Sequence, residues 1–546
     1  MATVLLEIGV EEMPAGYLPP TLMQVAEIAR ARLSAERIAF EDLRTWGTPR
    51  RIVLYLTGIV ERQAPAVREV RGPAVHDAFA ANGEPTPAAI GFARSHGVPV
   101  TELRIRKIEG GEYVVVVFRD EGRPTFELLP SVFTSLISSL KFPQMMRWDS
   151  GNFRFARPIR WIVALMDDQV VPFTIDAVTA GRLTRGHRFL APGGVDIPSA
   201  THYQRIMDEN QVIVDQDVRR ESIRQQLAAL VQQDNAVILD DGTLLDMTTF
   251  SVEYPTALRG TFDENFLSLP DEVLLQVLRH EQQFFPLTDT NNSLLPAFIT
   301  VRDGDKSYLG TVREGYEGVA RAKLLDALFF FEQDCQQVLA DRVPALHGVI
   351  FQENLGTMLD KTKRVESLAG LIAAWLDYTP EDRQFAERAA LLAKADLVTA
   401  MVMEHPQLQG TMGKIYAQIS GEPSSVVTAI DEQYQPRSAA DSIPASPLGR
   451  VVALADKLDT VVACFAIGIT PKDGEDPYDL REKADGVVRI LAEGHLPLSL
   501  SQLIARALRQ ITVETSQPRE EIQGMLERFF RKRLARDFTS RGIAQP

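Results

Sequence analysis

The chain has 546 residues, of which 45% are hydrophobic, with a net charge of −15 and only two cysteines. That length exceeds what one hydrophobic core organises, so roughly three to five domains are expected. Cys335 and Cys464 form no CxxC pair, which excludes a disulfide framework and a cysteine-rich zinc site and suits a reducing cytoplasm.

The opening Val4-Leu5-Leu6-Glu7-Ile8-Gly9-Val10 is short, apolar and bounded by glycine, which predicts a buried strand. It has no basic leader, and Glu7 interrupts the apolar run, so it does not read as a signal peptide. No stretch reaches the roughly 18 uncharged apolar residues that a membrane helix needs, and no membrane association is expected. Glu11-Glu12-Met13-Pro14 predicts the start of a helix running to about Ile38. Arg51–Leu56 is a second strand, preceded by the turn Gly47-Thr48-Pro49. Residues 64 to about 100 carry Pro, Gly and small residues, as an insertion does. Glu112–Phe118 is β-branched and predicts a strand, and Leu128–Leu140 has helical spacing. Trp161–Leu165 and Val170–Phe173 read as strands. His202–Gln233 reads as a surface helix pair, and Asp240-Asp241-Gly242 as a turn before a second α/β segment. Val319–Arg342 is helical. From Ala345 to Ala492 nearly everything reads as helix, broken at 436–447 and 470–477. Glu520–Arg536 is a basic amphipathic helix.

Two windows run against the acidic bulk charge. Lys141 to Arg188 holds eight Lys or Arg against four acids, and Pro518 to the end holds seven against four. Phosphate contacts are local, so such windows matter more than the total. In the first, Arg147-Trp148, Phe153-Arg154-Phe155-Ala156-Arg157 and Arg160-Trp161 interleave arginine with aromatic rings, a composition that clamps phosphates and stacks on bases. Thr184-Arg185-Gly186-His187-Arg188-Phe189 adds a second basic turn. The competing reading is that these arginines bind carboxylates between domains.

Three other patterns carry little. His280-Glu281-Gln282-Gln283-Phe284 begins like a zinc HExxH motif, but Phe284 stands where the second His belongs. Gly413-Lys414 lacks both the leading glycine and the following Ser or Thr of a phosphate-binding loop. Two greasy runs, Arg388–Thr399 and Arg450–Asp459, read as helices buried all round, each carrying an aspartate, Asp396 and Asp456. A buried carboxylate needs a partner or a metal. The placement resembles an HD-type metal phosphohydrolase, in which a His directly precedes the first Asp. Ala395 occupies that position, and His405 at a helix end cannot replace it. The expectation is therefore no metal, with Asp396 and Asp456 held by Lys394, Lys457 or backbone donors.

The motifs taken together resemble the β subunit of the bacterial two-subunit glycyl-tRNA synthetase. Leu5-Leu6-Glu7-Ile8-Gly9-Val10-Glu11-Glu12-Met13-Pro14-Ala15 is similar to the family's LLEIGTEELPA opening, and Thr48-Pro49-Arg50-Arg51 to its TPRR. Met146-Arg147-Trp148 and Arg157-Pro158-Ile159-Arg160-Trp161 fit its MRW and RPIRW, and 184–189 its TRGHRF. Leu355–Thr362, Lys394–Thr399, Ala453–Asp459 and Asp476–Arg481 resemble LGTLYDKT, KADLVT, ALADKLD and DPFALRR. Two departures stand out. Gly315–Leu324 lacks the Asn and one Arg of the family's GNERVLRARL. The family also continues into an Arg-rich anticodon-binding domain that this chain enters at about Glu520, so most of that domain is expected to be missing.

The resemblance implies a multidomain α+β protein, with mixed α/β N-terminal modules followed by a mainly α-helical HD-like bundle. The expected domains are 1–200, with an inserted segment at about 64–140 and similarity to a module of phenylalanyl-tRNA synthetase β, then 201–340, 341–500 and 501–546. It implies a non-catalytic, cytoplasmic subunit that positions tRNA(Gly) for an α subunit in an α2β2 assembly. ATP and Mg²⁺ are then implied for the α subunit, with no cofactor on this chain. The candidate RNA contacts are Arg147, Arg154, Arg157, Arg160, Arg185 and Arg188. Asp396 and Asp456 become structural carboxylates of a degenerate HD site, since the family also carries KAD there. The rival readings are an HD-type nucleotide phosphohydrolase, which Ala395 opposes, and an assembly scaffold that never touches RNA.

Overall fold

The computed structural model describes residues 1–80, 82–108, 111–148, 151–232, 236–239, 242–472 and 474–540. Asp240 and Asp241 of the expected turn lie outside them. The chain is multidomain α+β and forms two compact units, one of Met1–Gly260 with Gln283–Glu314, the other of Thr261–Gln282 with Gly315–Pro546.

The first unit is built on the strand Ala2–Val10. It sits in the middle of a five-stranded antiparallel sheet, between Arg51–Ile59 and Ile159–Met166, with Asp42–Thr48 and Gln169–Val170 at the edges. Alternation decides its two faces. Val4, Leu6, Ile8 and Val10 pack against the helices Leu18–Ala35 and Thr125–Ser139. Leu5 on the other face joins Trp46, Val53, Trp161, Tyr203 and Met207 in a second core. A strand covered on both faces reads as a continuous apolar run, which is why Glu7 stands out in it. Gly9 pairs with Trp161, and a Cβ there would lie 2.0 Å from the indole, so only glycine lets the ring cover the strand.

The expected helix from Glu11 begins later. A short 3-10 turn, Ala15–Tyr17, precedes Leu18–Ala35, which has prolines in its first turn. Residues 11–14 instead stay against the sheet, Glu11 N–H donating to Pro158 O at 3.1 Å. This leaves both glutamates free to meet arginines. The strand Asp42–Thr48 was not visible in the sequence pattern. The inserted segment forms its own three-stranded sheet, Ala66–Ala74, Gly111–Asp120 and Arg104–Ile108, over a small core of Ala78, Ala89 and Val114. A further four-stranded sheet carries Phe285–Thr288 and Leu294–Asp303 at its centre, against the helix Gln216–Val231.

The second unit is mainly helical. At its centre is Pro447–Ala466, in which every residue from Val451 to Ala466 is buried. The helices Met358–Trp375, Pro380–Leu392, Ser424–Glu432 and Leu480–Glu493 pack around it. The other expected buried helix ends early. Pro380–Leu392 stops before Lys394, and Ala395–Val398 is a 3-10 turn. The Gln433 side-chain amide donates to Ala393 O at the break, and Thr399 Oγ1 donates to Asp396 O at 2.6 Å. Side chains therefore take over carbonyls that a continuing helix would have used.

Candidate functional site

Four sequence motifs that lie far apart in the chain meet at one end of the first sheet. Strand register brings Gly9 opposite both Arg51 and Trp161, and Val10 opposite Ile159. Val10 N–H donates to Arg50 O at 2.8 Å. Thr184 Oγ1 donates to Glu7 Oε1 at 2.6 Å, and Trp161 Nε1 donates to the same oxygen at 2.6 Å. Arg51 Nη1 reaches Arg185 O at 3.2 Å.

Beneath this meeting point lies a buried charge cluster. Arg51 is fully buried and lies 3.1 Å from Glu253 Oε1, while Arg50 lies 3.7 Å from Glu253 Oε2. Thr48 Oγ1 donates to Glu253 at 2.7 Å. Burial pushes the Arg50 guanidinium down from its ordinary value; Arg51 feels the same penalty, but Glu253 and Glu7 outweigh it. His187 Nε2 lies 3.1 Å from Asp303 Oδ1. Burial of the Asp303 carboxyl is outweighed by hydrogen bonds from His187 and from the Tyr254 and Glu253 N–H groups, so its pKa ends below the ordinary carboxylate range. Such buried pairs are retained only with good geometry and further hydrogen bonds. This cluster was missed in the sequence apart from the isolated Glu7, because Glu253 and Asp303 come from distant segments.

Of the six candidate arginines, Arg157, Arg160, Arg185 and Arg188 meet around Glu11, Glu12 and Trp161, in different states. Arg160 Nε lies 2.8 Å from Glu11 Oε1, and Arg188 bridges Glu11 and Glu12 at 3.0 and 2.8 Å. The hydrogen bond from Arg160 is the main reason the Glu11 carboxyl is held below its ordinary value. Arg157 donates to Glu12 O and to Ala156 O, each at 3.1 Å. Arg185 is exposed, with its guanidinium 5.1 Å above the Trp161 ring. Arg147 and Arg154 are exposed and flank the antiparallel bridge between Met146 and Phe155. The aromatic partners behave otherwise than the interleaved pattern suggests. Phe155 and Trp161 are buried, and Phe142, Trp148 and Phe153 pack onto the core, Phe142 and Phe155 meeting at 4.7 Å between centroids. Phe155 and Trp161 are spent on the fold, while Phe142, Trp148 and Phe153 stay partly exposed.

In the helical unit Asp396 and Asp456 are both buried but held differently. The Asp396 carboxylate accepts from Gly410 N–H at 2.6 Å and Gly413 N–H at 3.0 Å. Burial pushes its pKa up to about 6 against those bonds. Gly413, half of the discarded phosphate-loop pattern, serves this contact, since a Cβ would stand 3.1 Å from Asp396 Oδ2. Asp456 faces Lys361 Nζ at 3.0 Å and Lys394 Nζ at 3.5 Å. Burial opposes its charge, but Lys361, Lys394 and Lys457 overcome it and hold the carboxyl far below the ordinary range. Lys457 itself turns to Tyr434 O at 3.0 Å. Asp459, one turn on, takes a two-pronged contact from Arg364 at 2.8 and 3.0 Å. Lys361 and Arg364 are the partners that sequence reading did not find. Among the described residues no group of three or more His, Cys, Asp or Glu is placed to hold a metal ion. His405 Nδ1 pairs with Glu281 at 2.7 Å, away from both aspartates' partners. Among the described residues no helix is long and apolar enough to cross a membrane.

Comparison with known proteins agrees with the motif series. A family described as "Glycyl-tRNA synthetase beta subunit" matches residues 4–546. A glycine–tRNA ligase beta subunit of Moorella thermoacetica is 45% identical over 534 residues, 97% of this chain and 77% of that protein. Those of Desulforamulus reducens and Halalkalibacterium halodurans are 44% and 42% identical, covering 99% of this chain and 78% of each relative. The matches run through the arginine region of the first unit and the two aspartate motifs of the second alike, and the phosphohydrolase alternative is not favoured by them. The chain belongs to the glycyl-tRNA synthetase β subunit family, and its role is that of the β subunit in glycyl-tRNA synthesis.

Proposed function

We propose that this chain holds tRNA(Gly) while a partner α subunit forms the glycyl adenylate and transfers glycine, in a cytoplasmic α2β2 assembly. ATP and Mg²⁺ belong to the α subunit in this reading, and the β chain supplies no catalytic group. Its contribution is positioning, which removes part of the entropic barrier of bringing a long RNA end to the reacting carboxyl.

The observation that carries the reading is the gathering of Arg157, Arg160, Arg185 and Arg188 around Glu11, Glu12 and Trp161 at the end of one sheet, with Arg147 and Arg154 exposed beside the Met146–Phe155 bridge. Arg154 and Arg185 are ready to meet phosphate. Arg160 and Arg188 would first exchange Glu11 and Glu12 for it. Filter binding of tRNA(Gly) by the Arg154→Ala/Arg185→Ala chain tests this. The expected result is weaker binding and a salt slope smaller by about two. Unchanged affinity and unchanged slope would remove both residues from the interface.

A further inference from the structure

The helical unit contains a cavity of about 560 Å³ at Asp456, and its lining is unusually basic. At its floor the ammoniums of Lys361, Lys394 and Lys457 are all nearly fully buried. Neighbouring carboxylates balance them only in part. Asp459 is engaged by Arg364 and lies 3.5 Å from Lys361, and Asp396 is engaged by two backbone N–H groups, which leaves Asp456 as the carboxylate facing Lys394 and Lys457. At the mouth stand Arg437, 5.5 Å from the Tyr434 ring, and Lys483, whose ammonium lies 3.7 Å from Asp479 and donates to Tyr478 O. Asp479 and Glu482 are the other acids in the lining among the described residues.

The floor lysines also have donors to spare. Lys361 is satisfied by Asp456, Thr460 Oγ1 and a backbone carbonyl. Lys394 makes no hydrogen bond among the described residues; it rests 4.0 Å from the Tyr434 ring and 3.5 Å from Asp456. Lys457 makes one, to Tyr434 O. Buried ammoniums in excess of their counterions are costly unless an anion joins them. One wall carries a tilted ring pair, Phe351 and Tyr478, 6.3 Å apart between centroids. Volume and lining are those of a small-molecule site with a few convergent charges.

We propose that this cavity binds a phosphate monoester of nucleotide size, with the phosphate on Lys394, Lys457 and Arg437 and the base against Phe351 and Tyr478. The ligand is held and released, and no bond is formed or broken. The same group occurs on a free nucleoside monophosphate and at the 5′ end of an RNA. Burial pushes Lys457 down to about 8, against the support of Asp456.

Calorimetric titration of the full chain with AMP, with adenosine, and with a 5′-phosphorylated RNA trinucleotide, at matched ionic strength, tests the site. At least one phosphate-bearing probe should bind, adenosine should not, and Arg437→Gln and Lys394→Gln should each weaken binding about tenfold or more. Arg437 is exposed, so its variant remains informative if the buried lysine variant unfolds. Tyr478→Ala should weaken AMP while leaving inorganic phosphate unchanged. Binding of AMP alone assigns a free nucleotide, and binding of the trinucleotide alone assigns an RNA end. No binding of either phosphate probe, equal binding of adenosine, or binding indifferent to Arg437→Gln overturns the proposal. These readouts are independent of tRNA binding by the arginines of the first unit.

Discussion

Lys361 Nζ lies 3.0 Å from Asp456 Oδ1 although the two residues are 95 positions apart in the chain. Lys361 and Arg364 sit one turn apart on the helix Met358–Trp375, and Asp456 and Asp459 one turn apart on Pro447–Ala466. The four form a two-rung ladder that sets the register of the helix pair. Asp456→Ala removes one rung, leaving Lys361 with Asp459 at 3.5 Å alone and Lys394 without its ion pair. The expected loss is about 3–5 kcal/mol of stability, as for one partner of a buried pair. Urea unfolding at pH 7 measures it; a loss below about 1 kcal/mol would mean that the ammoniums find water.

Asp396 should behave in the opposite sense. Its pKa is raised from 3.8 to about 6 in the folded chain, chiefly by burial. A raised folded value gives stability that is complete below pH 3.8 and is lost as pH rises through 6. The ionised carboxylate at neutral pH therefore costs on the order of 3 kcal/mol relative to its protonated form. Asp396→Asn keeps an acceptor for Gly410 and Gly413, so the variant should match or exceed the parent at pH 7.5 and lose that advantage near pH 4. Paired denaturation curves at the two pH values decide it; an Asn variant that is less stable at pH 7.5 and no different at pH 4 contradicts the sign.

Gly9→Ala places a methyl group 2.0 Å from Trp161. The indole must move, and it is the donor that holds Glu7 at 2.6 Å. Overpacking of this kind costs about 1–3 kcal/mol. Melting temperature should fall, with a change in Trp161 fluorescence. An unshifted melting curve would show that the ring has room to slide.

Glu11 and Glu12 hold Arg160 and Arg188 by three contacts of 2.8–3.0 Å. On the proposed RNA-holding role, Glu11→Gln/Glu12→Gln frees both guanidiniums. Affinity for tRNA should rise, and the salt slope should steepen by up to about two. Weaker binding would mean that the glutamates orient the arginines rather than compete for them.

Much of this architecture could be read from local pattern. The strand at Val4–Val10 and the all-round buried run Arg450–Asp459 announce themselves as unbroken apolar stretches, and Glu7 by its isolation. What resisted reading was choice of partner. Asp456 was expected to meet Lys394 and Lys457, and Lys394 does lie 3.5 Å away, but the closest contact is Lys361. Nothing local distinguishes one lysine from another across a bundle. The helix end before Lys394 depends on an amide at Gln433, forty residues on. The aromatic rings between the arginines were read as stacking platforms, yet the apolar face of the sheet claims them, because burying a ring outweighs exposing it. The resemblance supplied the role, while the pairing of the candidate arginines with Glu11 and Glu12 came only from strand register.

In the helix Pro447–Ala466 every residue from Val451 to Ala466 is buried, with Asp456, Lys457 and Thr460 lining the cavity. Its amide hydrogens exchange with water chiefly when the surrounding helices separate together, because fraying at its ends does not uncover the middle. In deuterium its protection factors should be nearly equal from end to end and should report the free energy of opening the whole helical unit. That one segment is therefore a gauge: any ligand, variant or partner that tightens the unit will be seen there first as a slower, uniform exchange.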